Sequence, residues 1–226
     1  LGSGNGGLNW EIVKKMIEDK MSHLSIDVFI YEPNSQIKEK LKEERVQLTD
    51  ARAMLLFMLY KLVANGEFVS EFSSEKICYF LQRFGAKEHF KLDYKPNFYG
   101  PYSGKVKYVI NYLNGSYIMG YSSMDKKPFE TLDLVSDGFE KVEGYILSKP
   151  ELVEIVNRTE LFLDGFYSEF ALELLSTVDY ISLNKDTFDL EIIKSELEGW
   201  SERKRTLFSN DRFLNISINH LKEHFG

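Results

Sequence analysis

Thr49-Asp50-Ala51-Arg52-Ala53-Met54-Leu55-Leu56-Phe57-Met58-Leu59-Tyr60-Lys61-Leu62-Val63-Ala64 is the stretch on which the fold turns. Thr49 can cap a helix, and Ala53, Leu56, Leu59, Tyr60 and Val63 recur at the spacing of one helical face. Asn65-Gly66 supplies the stop. The pattern then repeats in kind down the chain. Ser73 or Ser74 caps a second helix with Ile77, Phe80, Leu81 and Phe84 inward and Gly85 as its end. Further helices are predicted at about 105–113, 137–147, 150–164, 168–181, 187–198 and 210–224. Their breaks fall at Asn114-Gly115, Pro150, Gly165, the polar Ser182–Lys185 turn and the Trp200–Ser209 connection. Two short β-rich runs, Tyr117–Tyr121 and Phe129–Val135, read as a hairpin across Ser122–Pro128. Residues 48–226 are therefore expected to be mainly α with a small β-wing, an arrangement open to a winged-helix form.

Upstream the pattern differs. Gly2-Ser3-Gly4-Asn5-Gly6-Gly7 leads into a helix capped by Asn9, with Trp10, Val13, Ile17 and Met21 on one face. Ile26–Tyr31 follows as a strand closed by Pro33. A glycine loop, a helix and a strand belong to an α/β sheet, and one strand is not a sheet. Residues 1–33 thus read as the remnant of a larger α/β domain, and the start at Leu1 inside a glycine loop points to a longer parent. Residues 34–47, dense in Lys, Glu and Gln, read as a linker.

Composition narrows the function. The 226 residues carry a net charge of −7, with 43% hydrophobic and 14% aromatic residues. Such a chain can bury a core, and it lacks the basic footprint of a bulk phosphate binder. A single cysteine, Cys78, excludes an internal disulfide framework and a cysteine-built zinc site. No apolar run approaches the ~20 residues of a membrane helix, and no secretory leader is legible. A cytoplasmic chain without membrane or metal partners is expected. His220 and His224 share a helical face but lack the glutamate of a zinc-hydrolase helix, so a solvated helix end is the reading.

Two features carry chemistry. The glycine loop sets free backbone N–H groups before a helix N-terminus, a natural seat for a phosphate, although a floppy tail has the same composition. Tyr94-Lys95-Pro96-Asn97-Phe98-Tyr99-Gly100-Pro101-Tyr102 presents rigid rings at small entropic cost; such rings also serve as core plugs.

Leu1–Trp10 with the following helix and strand resembles the last phosphate loop, helix and strand of a macro domain, a fold that binds ADP-ribose. Lys76–Gln82, Tyr99–Tyr102, Tyr117–Tyr121 and Phe170–Val178 resemble the C-terminal part of the DarG family of antitoxins. The Lys-x-x-Tyr-Phe-x-Gln and Tyr-Gly-Pro-Tyr pairing is also similar to the Panacea antitoxin domain. The resemblance implies a partner, a DarT-like toxin that attaches ADP-ribose to thymidine in single-stranded DNA. It further implies that Gly2, Ser3, Gly4, Asn5, Gly6 and Gly7 contact ADP-ribose phosphates only in an intact macro domain, so the site is latent. No catalytic residue, cofactor or metal ligand is carried over, and no turnover is expected from this chain as given. The main expectation is an antitoxin module that occupies the toxin's DNA cleft, with Tyr94, Phe98, Tyr99 and Tyr102 imitating bases and Asp93, Asp125 and Glu130 imitating phosphates. The alternatives are a part of a DNA ADP-ribosyl glycohydrolase acting on ADP-ribosylated DNA, and a winged-helix nucleic-acid binder using Lys105, Lys107, Lys126 and Lys127.

Overall fold

A computed structural model describes residues 10–24, 28, 45–121 and 126–226. Contacts group the chain into two units, residues 1–45 and 46–226. In the first, α1 (Trp10–Met21) forms where a helix is predicted. Val13 and Ile17 are half-buried, whereas Met21, expected on the same face, is exposed. The predicted strand at 26–31 and the glycine loop lie outside the described residues, apart from Val28.

The second unit is mainly helical. α2 (Asp50–Ala64) is capped by Thr49, whose side chain accepts from the Arg52 N–H. Met54 to Leu59 are buried in unbroken succession, so α2 is enclosed on all sides rather than along one stripe. Val63, expected inward, is exposed in the last turn. α3 (Glu71–Leu81) is buried over its whole length. Its cap is Ser70, not Ser73 or Ser74. Ser70 Oγ accepts from the Ser73 N–H at 3.1 Å while the Ser70 N–H donates to Ser73 Oγ at 2.9 Å. That reciprocal box adds a turn to the predicted helix.

Gly85 breaks the helical run as expected, its backbone lying outside helical geometry. A π-helical turn (Gln82–Ala86) contains Gly85 at φ +118, and α4 (Lys87–Phe90) continues to a left-handed Lys91. The Gln82 side chain clamps the returning strand, accepting from the Leu92 N–H at 2.8 Å and donating to the Leu92 carbonyl at 3.0 Å. The ring-rich stretch at 94–102 then forms a hairpin. β1 (Lys95–Asn97) pairs antiparallel with β2 (Gly100–Tyr102), Pro96 facing Pro101. Two prolines suggest no strand, because proline gives nothing to a ladder. Here only three residues pair on each side, around a Phe98–Tyr99 turn that Gly100 completes at φ +91.

α5 (Val106–Leu113) follows, then β3 (Ile118–Met119) and β4 (Asp133–Leu134), paired antiparallel. These are shorter than the predicted runs because Pro128 and Leu132 bond elsewhere: the Pro128 carbonyl accepts from the Phe72 N–H and the Leu132 N–H donates to the Val69 carbonyl. α6 (Phe139–Leu147), α7 (Pro150–Leu163), α8 (Glu169–Lys185), α9 (Leu190–Trp200), α10 (Glu202–Leu207) and α11 (Asp211–Phe225) complete the unit. Pro150 occupies the first turn of α7, where it needs no donor partner. The expected turn at 182–185 is still helix, ended by Asp186 in the left-handed region, and the expected 200–209 connection holds α10.

Three helices make the centre. α2 packs on α3, α6 and α7; α3 packs on α8 and β2; α8 packs on α9, α11 and β2. Among the described residues no helix is long and apolar enough to cross a membrane.

Candidate functional site

The motif residues converge on the β1–β2 hairpin. α3 places Glu71, Glu75 and Lys76 beneath it, and α8 places Glu173 and Thr177 there with Lys204 of α10. All six are buried. Lys76 Nζ donates to the Pro101 carbonyl at 2.7 Å. Lys204 Nζ donates to Glu173 Oε1 at 2.5 Å and to Thr177 Oγ1 at 3.2 Å, and Arg203 forks onto both Glu173 oxygens. Gly100 is required at this point. A Cβ there would lie 2.6 Å from Thr177 Oγ1 and 3.3 Å from Lys76 Nζ, at a φ that side chains avoid.

Burial sets the electrostatics. It lowers Lys76 to about 7, with the Lys204 charge adding to the effect. It lowers Lys204 to about 8 in spite of Glu173. Burial alone would raise Glu173, but bonds from Arg203 and Lys204 hold its carboxyl below the usual range. Glu75 is pushed up by burial against the bonds it receives from Ser103. A parallel network lies further along α3, where Asp179 accepts from Tyr79 at 2.6 Å and from Arg83 at 2.8 and 3.1 Å.

The candidate contact residues fare unequally. Phe98 is 53% exposed at the hairpin tip. Tyr99 is half-buried, edge-on to Phe72, Phe98 and Phe129. Tyr102 is half-buried and donates to Glu71. Tyr94 turns inward, edge-on to Tyr79, with its hydroxyl donated to the Glu75 carbonyl at 3.2 Å. Asp93 is exposed, 3.9 Å from Lys105. Glu130 is exposed and accepts from the Lys127 N–H. Asp125 and Gly2 to Gly7 lie outside the described residues. Four rings and two carboxylates are thus brought to one neighbourhood, while Glu71, Glu75, Glu173 and Lys204 escaped sequence reasoning. The only signal was Glu71 and Glu75 one helical turn apart, and 35 acidic residues make such pairs common.

Cys78 is fully buried, as expected of a small apolar residue. His220 departs from the solvated reading. Its ring is stacked between Phe162 and Phe166, and its Nε2–H donates to the Phe162 carbonyl at 2.7 Å. No cluster of three or more metal-ligating side chains occurs among the described residues.

The chain is 30% identical over 210 residues to the DNA ADP-ribosyl glycohydrolase of Thermus aquaticus, which covers 91% of this chain and 57% of that protein. It is related to the DNA ADP-ribosyl glycohydrolases. Proteins of that name from Mycobacterium bovis and Mycobacterium tuberculosis are each 22% identical over 94% of the chain and 64% of their own length. The chain therefore spans less than two thirds of these glycohydrolases. No family model matches it. The expectation of a chain without turnover is overturned by these relatives, since proteins carrying a hydrolase name match nearly all of it.

Proposed function

We propose that the chain works in a DNA ADP-ribosyl glycohydrolase, splitting the bond between ADP-ribose and a thymidine base of single-stranded DNA. The observation that carries this is similarity over 91% of the chain to a protein of that name. Water is consumed: its hydroxyl goes to the ribose anomeric carbon and its proton to the base. In sequence the run Gly2 to Gly7 lies two residues ahead of α1, and a glycine run before a helix N-terminus is a composition that suits a diphosphate. The setting is the cytoplasm, where the DNA is. The test incubates the protein that carries this chain with an ADP-ribosylated oligonucleotide. Release of ADP-ribose is expected, and Gly6→Asp, which sets a carboxylate against the diphosphate, slows it at least about tenfold. A folded protein that releases none overturns the reading.

One observation favours a second role for residues 46–226, that of binding a DarT-like toxin. Phe98 projects from a hairpin braced by Trp200, whose indole N–H donates to the Asn97 carbonyl at 2.9 Å, with Asp93 and Glu130 exposed beside it. Rings and carboxylates so placed imitate a stretch of single strand. Co-purification with the toxin tests this, and an uninhibited toxin at molar excess overturns it. The winged-helix reading has less support: β3 and β4 hold two residues each, and Lys105 faces Asp93.

A further inference from the structure

A cavity of about 250 Å³ opens between α3 and the β1–β2 hairpin, lined among others by Glu71, Phe72, Glu75, Tyr99 and Tyr102. Its volume lies below the ~300–1,000 Å³ of drug-sized sites and suits one long side chain. Tyr99 and Tyr102 are part-exposed, so the cavity meets solvent beside them.

Its lining carries two carboxylates against one ammonium. Glu71 and Glu75 sit one helical turn apart, 8% and 1% exposed. Glu71 receives the hydroxyls of Tyr102 at 3.0 Å and Tyr121 at 2.5 Å. Glu75 receives Ser103 Oγ and the Ser103 and Gly104 N–H groups. Every one of these donors is neutral, and neither carboxylate has an ion pair among those of the described residues. Lys76 lines the same cavity and its charge acts on Glu75, but its Nζ donates to the Pro101 carbonyl and makes no ion pair with either carboxylate, which leaves Glu71 for an outside cation. Buried carboxylates are ordinarily paired with a cation. A carboxylate also offers about four acceptor sites, of which Glu71 fills two.

Aromatic walls and acceptor capacity together select the cation. A guanidinium is planar, lies on tyrosine and phenylalanine faces and reaches a carboxylate with two parallel donors. We infer that this cavity is a socket for one arginine side chain of a partner protein. The net charge of −7 favours the approach of a basic partner. The inference is independent of the glycohydrolase reading, whose readout is ADP-ribose release.

The test is calorimetric titration of the protein with Nα-acetyl-arginine amide, Nα-acetyl-citrulline amide, Nα-acetyl-lysine amide and free arginine. Saturable binding of blocked arginine is expected, with the neutral citrulline isostere at least about tenfold weaker, the worth of one charge-assisted bond. Blocked lysine should also bind more weakly. Glu71→Gln, which keeps an acceptor for the tyrosine hydroxyls, should weaken blocked arginine by a similar factor. Tyr99→Leu should weaken it severalfold and decides the matter if Glu71→Gln fails to fold. No saturable binding, equal binding of citrulline, or full binding by the folded variants would overturn the socket. Tighter binding of blocked lysine overturns the choice of guanidinium, and tighter binding of free arginine overturns a protein source.

Discussion

The two ends of α3 are both walled by aromatic rings, and the rings do different work. At the C-terminal end Phe80, Phe84, Phe162 and Phe225 lie with centroids 5.0–5.4 Å apart, and His220 stacks on Phe162 as one more flat ring. At the N-terminal end Phe72, Tyr99 and Phe129 close over Glu71, Glu75 and Lys76, with Glu173 and Lys204 behind. The first ring cluster is held by apolar contact, which tolerates substitutions of similar volume, with the Arg83–Asp179 pair on its flank. The other is held by charges that stability alone does not demand, since a hydrophobic replacement of a buried ion pair is often neutral or better. Ring content therefore marks packing at both ends. Both ends bury charge, but Asp179 has its cation in Arg83, whereas Glu71 and Glu75 line a cavity and have no ion pair among those of the described residues, and that singles out the hairpin end as the one with something to bind.

The sharpest way to break that contrast is Glu173→Ala. It strands Lys204 and Arg203 without their carboxylate, and an uncompensated buried charge costs about 3–5 kcal/mol. Urea unfolding checks it; a loss below about 1 kcal/mol would mean that the network is not buried in solution. Next comes Gly100→Ala, where a methyl at φ +91 meets Thr177 Oγ1 at 2.6 Å. A loss of about 2 kcal/mol is expected from the strained backbone with the clash added. At the apolar end Phe162→Leu should cost about 1 kcal/mol, because the site keeps most of its apolar volume. If Phe162→Leu proves costlier than Glu173→Ala, the assignment of the two ends is reversed.

Most of the apolar end was legible from sequence, His220 excepted, and the charged end was not, for a physical reason. Helical periodicity is local, so α2, α7 and α11 follow from residues three and four apart, as do the inward Ile77, Phe80 and Phe84. The charged end is assembled across the chain: Tyr121 reaches Glu71 over 50 residues, Lys204 reaches Glu173 over 31, and Lys76 reaches Pro101 over 25. No window reveals such pairs. The ring cluster 94–102 was visible as composition, but which rings turn inward depends on a hairpin that Pro96 and Pro101 disguise. Tyr94 faces Tyr79 and the tip residue Phe98 faces solvent for that reason.

The ends also titrate on opposite sides of neutrality. Lys76 falls from 10.5 to about 7 and Lys204 to about 8, so between those values and 10.5 the unfolded chain binds more protons than the folded one. Stability then rises with pH from about 7 upward, by at most about 1.4 kcal/mol per pH unit for each group. Above 10 the trend reverses, because Tyr79, Tyr94, Tyr102 and Tyr121 are all raised by burial and resist ionisation only when folded. Thermal midpoints at pH 7, 8 and 9 should climb, and Lys76→Met should flatten the climb. A midpoint that is level across this range in the parent chain refutes the burial of the two lysines.

The smallest effect belongs to the apolar end on the acid side. Burial lowers His220 below its ordinary value of 6.5, outweighing the bond to the Phe162 carbonyl, and the neighbouring His224 adds to the lowering. A histidine that folds in its neutral form contributes stability at neutral pH that is lost as pH falls below 6.5, since the unfolded chain takes up the proton first. His220→Phe keeps a flat ring between Phe162 and Phe166 but gives up the bond to the carbonyl, for a constant cost of about 1 kcal/mol. The difference in midpoint between parent and variant should accordingly narrow from pH 7 to pH 5. Were it to widen, the ring would be protonated in the folded state, and the cluster of Phe162 and Phe166 would hold a cation in its midst, ending the contrast between rings packed on rings and rings closed over charge.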